Sequence, residues 1–218
     1  MTDVSVKLFH VDGFSFNRLT LRADGGIDQK MVEVGFWHDP NTKELLDEWI
    51  NPLNGLKCIP IHYRSDQTIT FGPDGYLKAP TDTSGPRLRL EGWISPAVFN
   101  GPLVWSSESL IVKQLRPDPE PNQDPLAQGG NVSTQTSLVT YTGRADAIAN
   151  RKSPWIPSSM NFHSLNGGWY PWMRMGQEMG GISFDLIGRK LAKLEDMPPR
   201  LRKLIDLRHP DFLREPGV

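Results

Sequence analysis

The sequence predicts a mainly β fold: an antiparallel meander that closes into a calycin- or lipocalin-like β-barrel, with one C-terminal α-helix. Gly and Pro account for 20 and 19 of the 218 residues. This exceeds their usual combined share of roughly 12%, so the chain turns often. Short β-type runs recur between turn dipeptides. Little room is left between them for the helical crossovers that parallel strands need, which favours antiparallel pairing.

The predicted strands follow one another closely along the chain. Asp24-Gly25-Gly26 is typical of a hairpin turn, and Asn51-Pro52-Leu53-Asn54-Gly55 is a further turn signal. A twisted meander of many strands removes its exposed edges by closing, which predicts the barrel. The predicted strands cover residues 4–11, 14–22, 30–38, 44–50, 56–63, 103–115, 133–142, 155–165 and 181–187.

Two segments depart from the strand pattern. Residues 116–131 contain four prolines and a Gly pair, which predicts a surface loop. Residues 198–209 form the predicted helix, because Leu201, Leu204 and Ile205 recur at helical spacing and Pro210 ends the run. We expect this helix to pack on the barrel as a plug or lid, and residues 1–218 to form a single domain.

Charge and composition exclude several classes of partner. The 24 Lys and Arg residues nearly balance the 25 Asp and Glu residues, and no basic cluster occurs. A nucleic-acid partner or a polybasic membrane contact is therefore not expected. No run of 18 apolar residues and no basic, then apolar, N-terminal segment is present, so we expect a cytoplasmic protein. A symmetric homodimer is a possible assembly for a meander with leftover edges.

Several cofactor motifs are missing from the sequence. It contains no Gly-x-Gly-x-x-Gly, no phosphate loop and no Gly-x-Ser-x-Gly elbow. The five histidines lie far apart and lack the spacing of common metal sites. We therefore predict no cofactor and no metal, and a small molecule as the partner.

An aromatic and Met-rich segment, residues 169–176, has two possible interpretations. It can fill one end of the barrel with rings. Alternatively, Trp169, Trp172 and Met175 form the wall of a pocket for a flat apolar ligand, and Arg174 binds an anion. In the second case Arg64 is a further candidate for holding a substrate carboxylate, and Trp93 is a further candidate for ligand contact.

Strand alternation suggests which polar side chains point into the barrel. In residues 103–115, Glu108 shares a face with apolar residues. An inward carboxylate is costly unless it is paired or used in function. The same alternation favours inward positions for Tyr63, Tyr141 and His163. An acid, a phenol and an imidazole in one apolar barrel would make a proton-transfer site.

The sequence resembles the bacterial family known as domain of unknown function 1838. The resemblance covers about residues 8–213 and implies one domain, but it supplies no catalytic residues. Its most specific part is the Pro-Trp-Met-x-Met-Gly element at residues 171–176. The motifs that carry it lie at residues 33–40, 47–52, 169–176 and 188–191.

Three functions are consistent with these observations. The first is a cofactor-independent lyase, decarboxylase or isomerase acting on a hydrophobic, aromatic or phenolic molecule, with Glu108 or His163 moving the proton and Tyr141 or Tyr63 binding a phenol. The second is a non-catalytic, lipocalin-like small-molecule carrier. The third is a structural or interaction role. An enzyme requires a titratable pair within hydrogen-bond reach of one ligand position, whereas a carrier requires only shape and an apolar lining.

Overall fold

The structure is a computed structural model that describes residues 6–78, 87–116, 124–128, 131–150 and 156–214. Its helices are α1 (Ala145–Ala149) and α2 (Pro199–Arg208), with short 3-10 turns at Pro125–Gln128, Pro171–Met173, Leu194–Asp196 and Phe212–Arg214. Its strands are β1 (His10–Leu21), β2 (Ile27–His38), β3 (Trp49–Ile50), β4 (Lys57–Cys58), β5 (Tyr63–Phe71), β6 (Arg87–Ile94), β7 (Val98–Asn100), β8 (Leu103–Leu115), β9 (Val132–Arg144), β10 (Ser158–Gly167) and β11 (Gly181–Arg189).

The first sheet has the order β1-β2-β5 and is antiparallel. The predicted hairpin turn joins β1 to β2: Gly25 has a φ of 84°, and the Gly26 N–H donates to Asp24 Oδ1 at 3.0 Å. A positive φ of this size suits glycine, which has no Cβ to clash. The predicted runs 4–11 and 14–22 are not two strands, because β1 continues through Gly13. Residues 4 and 5 lie outside the described part of the chain.

The second sheet has the order β11-β10-β9-β8-β6, with β7 also paired to β8. Residues 75–78 connect the two sheets, since Phe71 pairs with Leu77 and Tyr76 pairs with Trp93. The predicted antiparallel, mainly β fold is confirmed. Within the described residues no ladder joins β1 to β11, so closure into a barrel is not confirmed.

Several strand predictions need correction. The predicted strands 44–50 and 56–63 are mostly irregular segments that pair with each other only at β3 and β4. Leu45 also forms an isolated bridge to His38, and Tyr63 is the first residue of β5. Strands β5 and β6 were not predicted. The predicted strand 155–165 begins at Ser158, and Trp155 lies outside the described residues. Of the predicted loop 116–131, the described part contains one 3-10 turn, Pro125–Gln128.

The C-terminal helix covers the outer face of the first sheet. On α2, Leu201 and Ile205 are buried, and they belong to one apolar cluster with Val34 and Phe36 of β2. The helix is therefore present close to its predicted bounds. Its apolar side packs on the first sheet, and Leu201 also lines the cavity that lies between the two sheets, so the role of plug or lid stays a prediction.

A second apolar cluster closes one end of the space between the sheets. It contains Trp37 of β2, Trp49 of β3, and Trp169, Trp172 and Met173 of the aromatic segment. Phe9 packs against this cluster, with its ring centroid 4.7 Å from that of Trp49 and 5.5 Å from that of Trp172. This packing confirms that rings fill one end of the structure. In the described part of the chain, no helix has the length and apolar character needed to span a membrane.

Candidate functional site

A cavity of about 2680 Å³ lies between the two sheets. It exceeds the usual range for small-molecule pockets, roughly 300–1,000 Å³. On β8 the lining residues from Ser106 to Gln114 alternate, as the period of two in a strand requires, whereas consecutive residues of β1 and β11 line the cavity. On β2 the lining residues include Gln29, Glu33 and Trp37, and on β8 they include Glu108 and Leu110. The prediction that the Glu108 face of β8 points inward agrees with this lining.

Glu108 is held by a side chain from the opposite sheet. Gln29 Nε2 donates to Glu108 Oε2 at 3.0 Å, and the exposed fractions of the two residues are 1% and 6%. Burial raises the pKa of Glu108, while the Gln29 hydrogen bond lowers it and the charge of Glu33 raises it further. A raised carboxyl pKa brings protonation closer to neutral pH.

A second carboxyl group, Glu33, forms an acid–phenol pair with Tyr63. The Tyr63 hydroxyl donates to Glu33 Oε2 at 3.3 Å, and both residues line the cavity. Burial raises the pKa of Glu33, and hydrogen bonds from Tyr63 and Ser15 partly offset the rise. Burial also raises the pKa of Tyr63. Strand alternation on β2 could have indicated Glu33, because Gln29 and Trp37 share its face.

Tyr141 forms another link between the sheets. Asn17 Nδ2, on β1, donates to Tyr141 Oη, on β9, at 3.4 Å. Burial is the main cause that raises the pKa of Tyr141, and the charges of Glu108 and Glu33 add to the effect. The structure therefore brings Glu108, Tyr63 and Tyr141 to one cavity, together with the unpredicted Glu33.

His163 lies outside this group. Its neighbours Phe162 and Ser164 line the cavity, so His163 occupies the opposite face of β10. There its Nδ1 lies 2.8 Å from Asp185 Oδ1, and 61% of its side chain is exposed. The predicted inward position of His163 is wrong, because the alternation was counted from the wrong residue of the strand.

The aromatic segment contributes only part of its predicted wall. Trp169 and Tyr170 line the cavity, whereas Trp172 and Met175 do not. Trp172 lies behind Tyr170, with stacked rings at a centroid distance of 6.2 Å. Burial raises the pKa of Tyr170 to about 12. Met175 packs in the same apolar cluster, so Trp172 and Met175 support the wall instead of forming it.

Three other predicted ligand contacts also point away from the cavity. Arg174 is held elsewhere: its Nε donates to Asp124 Oδ2 at 2.7 Å, and its Nη1 donates to the Lys57 carbonyl at 3.1 Å. Arg64 does not line the cavity, although its cross-strand partner Val34 does. Trp93 pairs with Ser109, and both line a separate pocket of about 260 Å³ instead. The expectation that Arg174, Arg64 and Trp93 line the same cavity as Glu108 is therefore wrong.

Arg116 is a cation of the cavity wall that sequence reasoning missed. It follows β8 directly, and its Nη2 donates to the Trp169 carbonyl oxygen at 2.9 Å. Burial lowers the pKa of its guanidinium. The only sequence signal is its position at the end of the Glu108 strand, where the proline-rich segment begins.

Three histidines lie at the outer face of β2. His38 is fully buried, while His62 and His209 are half-buried. The rings of His62 and His209 lie 5.6 and 6.0 Å from that of Phe36. Burial is the largest cause lowering the pKa of each histidine. Among the described residues, no group of three or more His, Cys, Asp or Glu side chains is arranged to hold a metal ion.

The geometry of the inner face is suited to acid–base chemistry. Two carboxyl groups with raised pKa values can hold or release a proton more readily than exposed glutamates at the same pH. Phenols beside them can donate hydrogen bonds to an oxygen that gains charge during a reaction. The aromatic end of the cavity offers apolar contact surface for a ring.

Comparison with known proteins gives the family but no activity. No curated protein and no solved structure matches the chain. The model of the family described as protein of unknown function (DUF1838) matches residues 2–70 and 127–217. The second match includes the Pro-Trp-Met-x-Met-Gly element at residues 171–176. This match confirms the resemblance noted in the sequence: the chain belongs to the DUF1838 family.

Proposed function

We propose that this protein is an acid–base enzyme, an isomerase or a lyase such as a decarboxylase, acting on a hydrophobic aromatic or phenolic molecule. The observation that carries the proposal is the Glu33–Tyr63 hydrogen bond of 3.3 Å at the cavity surface. An enzyme of this kind requires a titratable pair within reach of one ligand position. In this proposal the two sheets form the halves of one barrel around the ligand.

Glu33 is the proposed general base. Its burial raises its pKa, which makes the carboxylate a stronger base than an exposed glutamate. Tyr63 donates to the same carboxyl group, so it keeps Glu33 oriented and can pass its hydrogen bond to a substrate oxygen. Glu108 and Tyr141 are the proposed proton donors, because burial favours the protonated form of each.

The proposed isomerisation moves one proton within the substrate. Glu33 accepts a proton from a C–H bond next to a carbonyl group conjugated with the substrate's double bonds, and the electron pair moves onto the carbonyl oxygen to form an enolate. Glu108 then donates a proton at a second carbon, and solvent exchange restores both carboxyl groups. In the decarboxylation variant the C–C bond to the carboxylate breaks, carbon dioxide leaves, and Glu108 protonates the carbon that retains the electron pair.

The aromatic end of the cavity is the proposed site for the substrate ring. Tyr170 and Trp37 lie with their ring centroids 5.7 Å apart, and Phe184 lies 5.7 Å from Trp37. All three side chains line the cavity. Aromatic surfaces at this spacing favour a flat ring in offset-stacked or edge-to-face contact.

The test combines a binding measurement with a proton-exchange measurement. Binding of anilinonaphthalene sulfonate is followed by its fluorescence, and phenols and phenolic acids are screened as competitors. Compounds that compete are incubated with the protein in deuterium oxide, and NMR detects deuterium incorporation or loss of the carboxylate. We expect turnover by the native chain, a loss of at least about a hundredfold in Glu33→Gln, and normal turnover in the exposed control Glu195→Gln.

A carrier is the second candidate, and the size of the cavity favours it. A volume of about 2680 Å³ is larger than a small aromatic substrate requires. A carrier would bind the competing compounds but would incorporate no deuterium into any of them. In that case Glu33→Gln would alter affinity alone, and the catalytic proposal would fail.

A further inference from the structure

One region of the cavity wall, on the inner face of the second sheet, carries mostly polar side chains. Its inward positions lie side by side on neighbouring strands: Gln135 is opposite Val112 and Asn166, and Ser137 is opposite Leu110 and Ser164. Ser137 and Ser164 have exposed fractions of only 6% and 1%. We call this region the polar ladder; its members are Gln114, Ser133, Gln135, Ser137, Ser164 and Asn166.

The internal hydrogen bonds of the polar ladder are long. Ser137 Oγ donates to the Leu110 carbonyl at 3.5 Å, and Asn166 Nδ2 donates to Ser164 Oγ at 3.5 Å. These distances are at the upper limit for a hydrogen bond. Covering such groups with a purely apolar ligand would remove them from water without supplying partners, which is costly. A ligand that carries hydroxyl groups would supply them.

Gln29 gives an independent indication of a ligand hydroxyl. It is 1% exposed and lines the cavity, and its Oε1 has no hydrogen-bond partner among the described residues. Turning the amide over would direct Oε1 at Glu108 and leave Nε2 without a partner instead. Either orientation therefore leaves one polar end of Gln29 unmatched. A hydroxyl group both donates and accepts, so it satisfies both orientations.

The polar ladder shares the cavity with an aromatic surface. Trp37, Tyr170 and Phe184 supply that surface, at centroid distances of 5.7 to 6.4 Å from one another. A plain sugar would satisfy the ladder but would leave most of these rings without a stacking partner. An unsubstituted aromatic molecule would satisfy the rings but not the ladder.

We propose that the substrate is an aromatic molecule bearing several hydroxyl groups, one of which binds the free end of the Gln29 amide while others bind the polar ladder. This inference rests on the proposed function and names the class of its substrate. The aromatic framework lies against Trp37, Tyr170 and Phe184. A hydroxyl at Gln29 also lies beside Glu108, which is the group that Gln29 holds at 3.0 Å.

The experiment compares ligands that differ in their hydroxyl groups. Isothermal titration calorimetry measures binding of flavone, which has none, and of its polyhydroxylated derivative quercetin, with glucose as a hydroxylated molecule without a ring system. We expect quercetin to bind at least about tenfold more tightly than flavone, because each buried polar group left unmatched weakens binding. We expect glucose to bind far more weakly than quercetin.

Two variants test whether Gln29 and Gln135 cause the preference for quercetin over flavone. Gln29→Met should reduce the preference for quercetin over flavone by about tenfold, and Gln135→Met should reduce it in the same direction if the first variant folds poorly. The matched control Gln177→Met, which is exposed and outside the cavity wall, should keep the native preference.

The outcomes separate this inference from the proposed function. Equal binding of flavone and quercetin to the native chain, or an unchanged preference in both cavity variants, would overturn the inference. Deuterium incorporation into other aromatic competitors would then still support the proposed enzyme. If quercetin does not bind, the inference is overturned; if anilinonaphthalene sulfonate also fails to bind, the proposed function fails with it.

Discussion

The two faces of strand β2 lie in different surroundings. Its inner face carries Gln29 and Glu33 and borders the cavity. Its outer face carries Phe36 and His38 and is covered by α2 and the segment that follows it. One strand of alternating residues thus separates a face that borders the cavity from a face that packs mainly against α2 and other segments of the same chain.

Burial shifts the titrating groups on the two faces in opposite directions. It raises the pKa of Glu33 and Glu108 on the inner side and lowers the pKa of His38 and His62 on the outer side. Both shifts favour the uncharged form of the side chain. The inner groups therefore favour the protonated carboxyl, whereas the outer groups favour the neutral imidazole.

The largest expected effect is the loss of packing on the outer face. Phe36 has no exposed surface and contacts His62 and His209. Phe36→Ala should lower the free energy of unfolding by about 3 to 5 kcal/mol, because it leaves a cavity under α2. Urea denaturation followed by circular dichroism measures this change.

The inner face supplies the control for that prediction. Met31 lines the cavity and is only partly buried. Met31→Ala should therefore cost on the order of 1 kcal/mol. Equal losses for the two variants would show that the inner face is packed as tightly as the outer face, which would contradict the comparison.

The sequence predicted the inner face better than the outer one. Alternation in β8 correctly placed Glu108 in the interior, because every second residue of a strand faces the same way. The bond between Gln29 and Glu108 joins residues 79 positions apart in the chain and depends on how two sheets face each other. No local pattern in the sequence contains that information.

Two errors about the site have simple physical causes. His163 was assigned to the wrong face because a shift of one residue in a strand reverses every side chain. Arg174 was expected to bind a ligand, but its backbone adopts a left-handed conformation with φ of 56°, and Asp124 pairs with its side chain. Asp124 belongs to the proline-rich segment, for which the sequence predicted only a surface loop.

The histidines of the outer face predict a loss of stability in acid. Each has a folded-state pKa below its ordinary value of 6.5, so the unfolded chain binds more protons as the pH falls below 6.5. Unfolding is therefore favoured progressively between about pH 7 and pH 5. Arg64 and Arg208 add to the effect at His209, because their charges oppose its protonation.

His209→Phe tests this pH dependence. The variant should lose less stability than the native chain when the pH is lowered from about 7.5 to about 5.5, since one proton-binding group is removed from the unfolded state. Urea titrations at the two pH values measure the difference. Leu207→Phe, at an exposed position of the adjacent helix α2, changes no titrating group and is the control that should behave as the native chain. An unchanged slope in His209→Phe would rule out His209 as a contributor.

The smallest expected effect concerns the inner carboxyl Glu108. Its folded-state pKa is raised above 4.5, so its protonation stabilises the fold at low pH, and this contribution is lost as the pH rises through the folded-state pKa. Glu108→Gln keeps an acceptor for Gln29 Nε2 and removes the buried charge. It should increase the free energy of unfolding at neutral pH by on the order of 1 kcal/mol.

That gain should disappear in acid. Below about pH 4 the native carboxyl is protonated in both states, so the variant and the native chain should have nearly equal stability. Glu91→Gln is the control, because Glu91 is exposed and paired with Arg89, which lowers its pKa. This control should show no gain at neutral pH.

The most direct test is an NMR titration of the side-chain carboxyl carbons of carbon-13-labelled glutamates. Glu33→Gln and Glu108→Gln identify the two signals. The account predicts that both carboxyls titrate above the ordinary glutamate value of 4.5, and that both signals shift when quercetin binds. The contradicting result is that both groups titrate at or below 4.5 and that quercetin leaves both signals unchanged. In that case Glu33 and Glu108 would not be groups that exchange protons with a ligand.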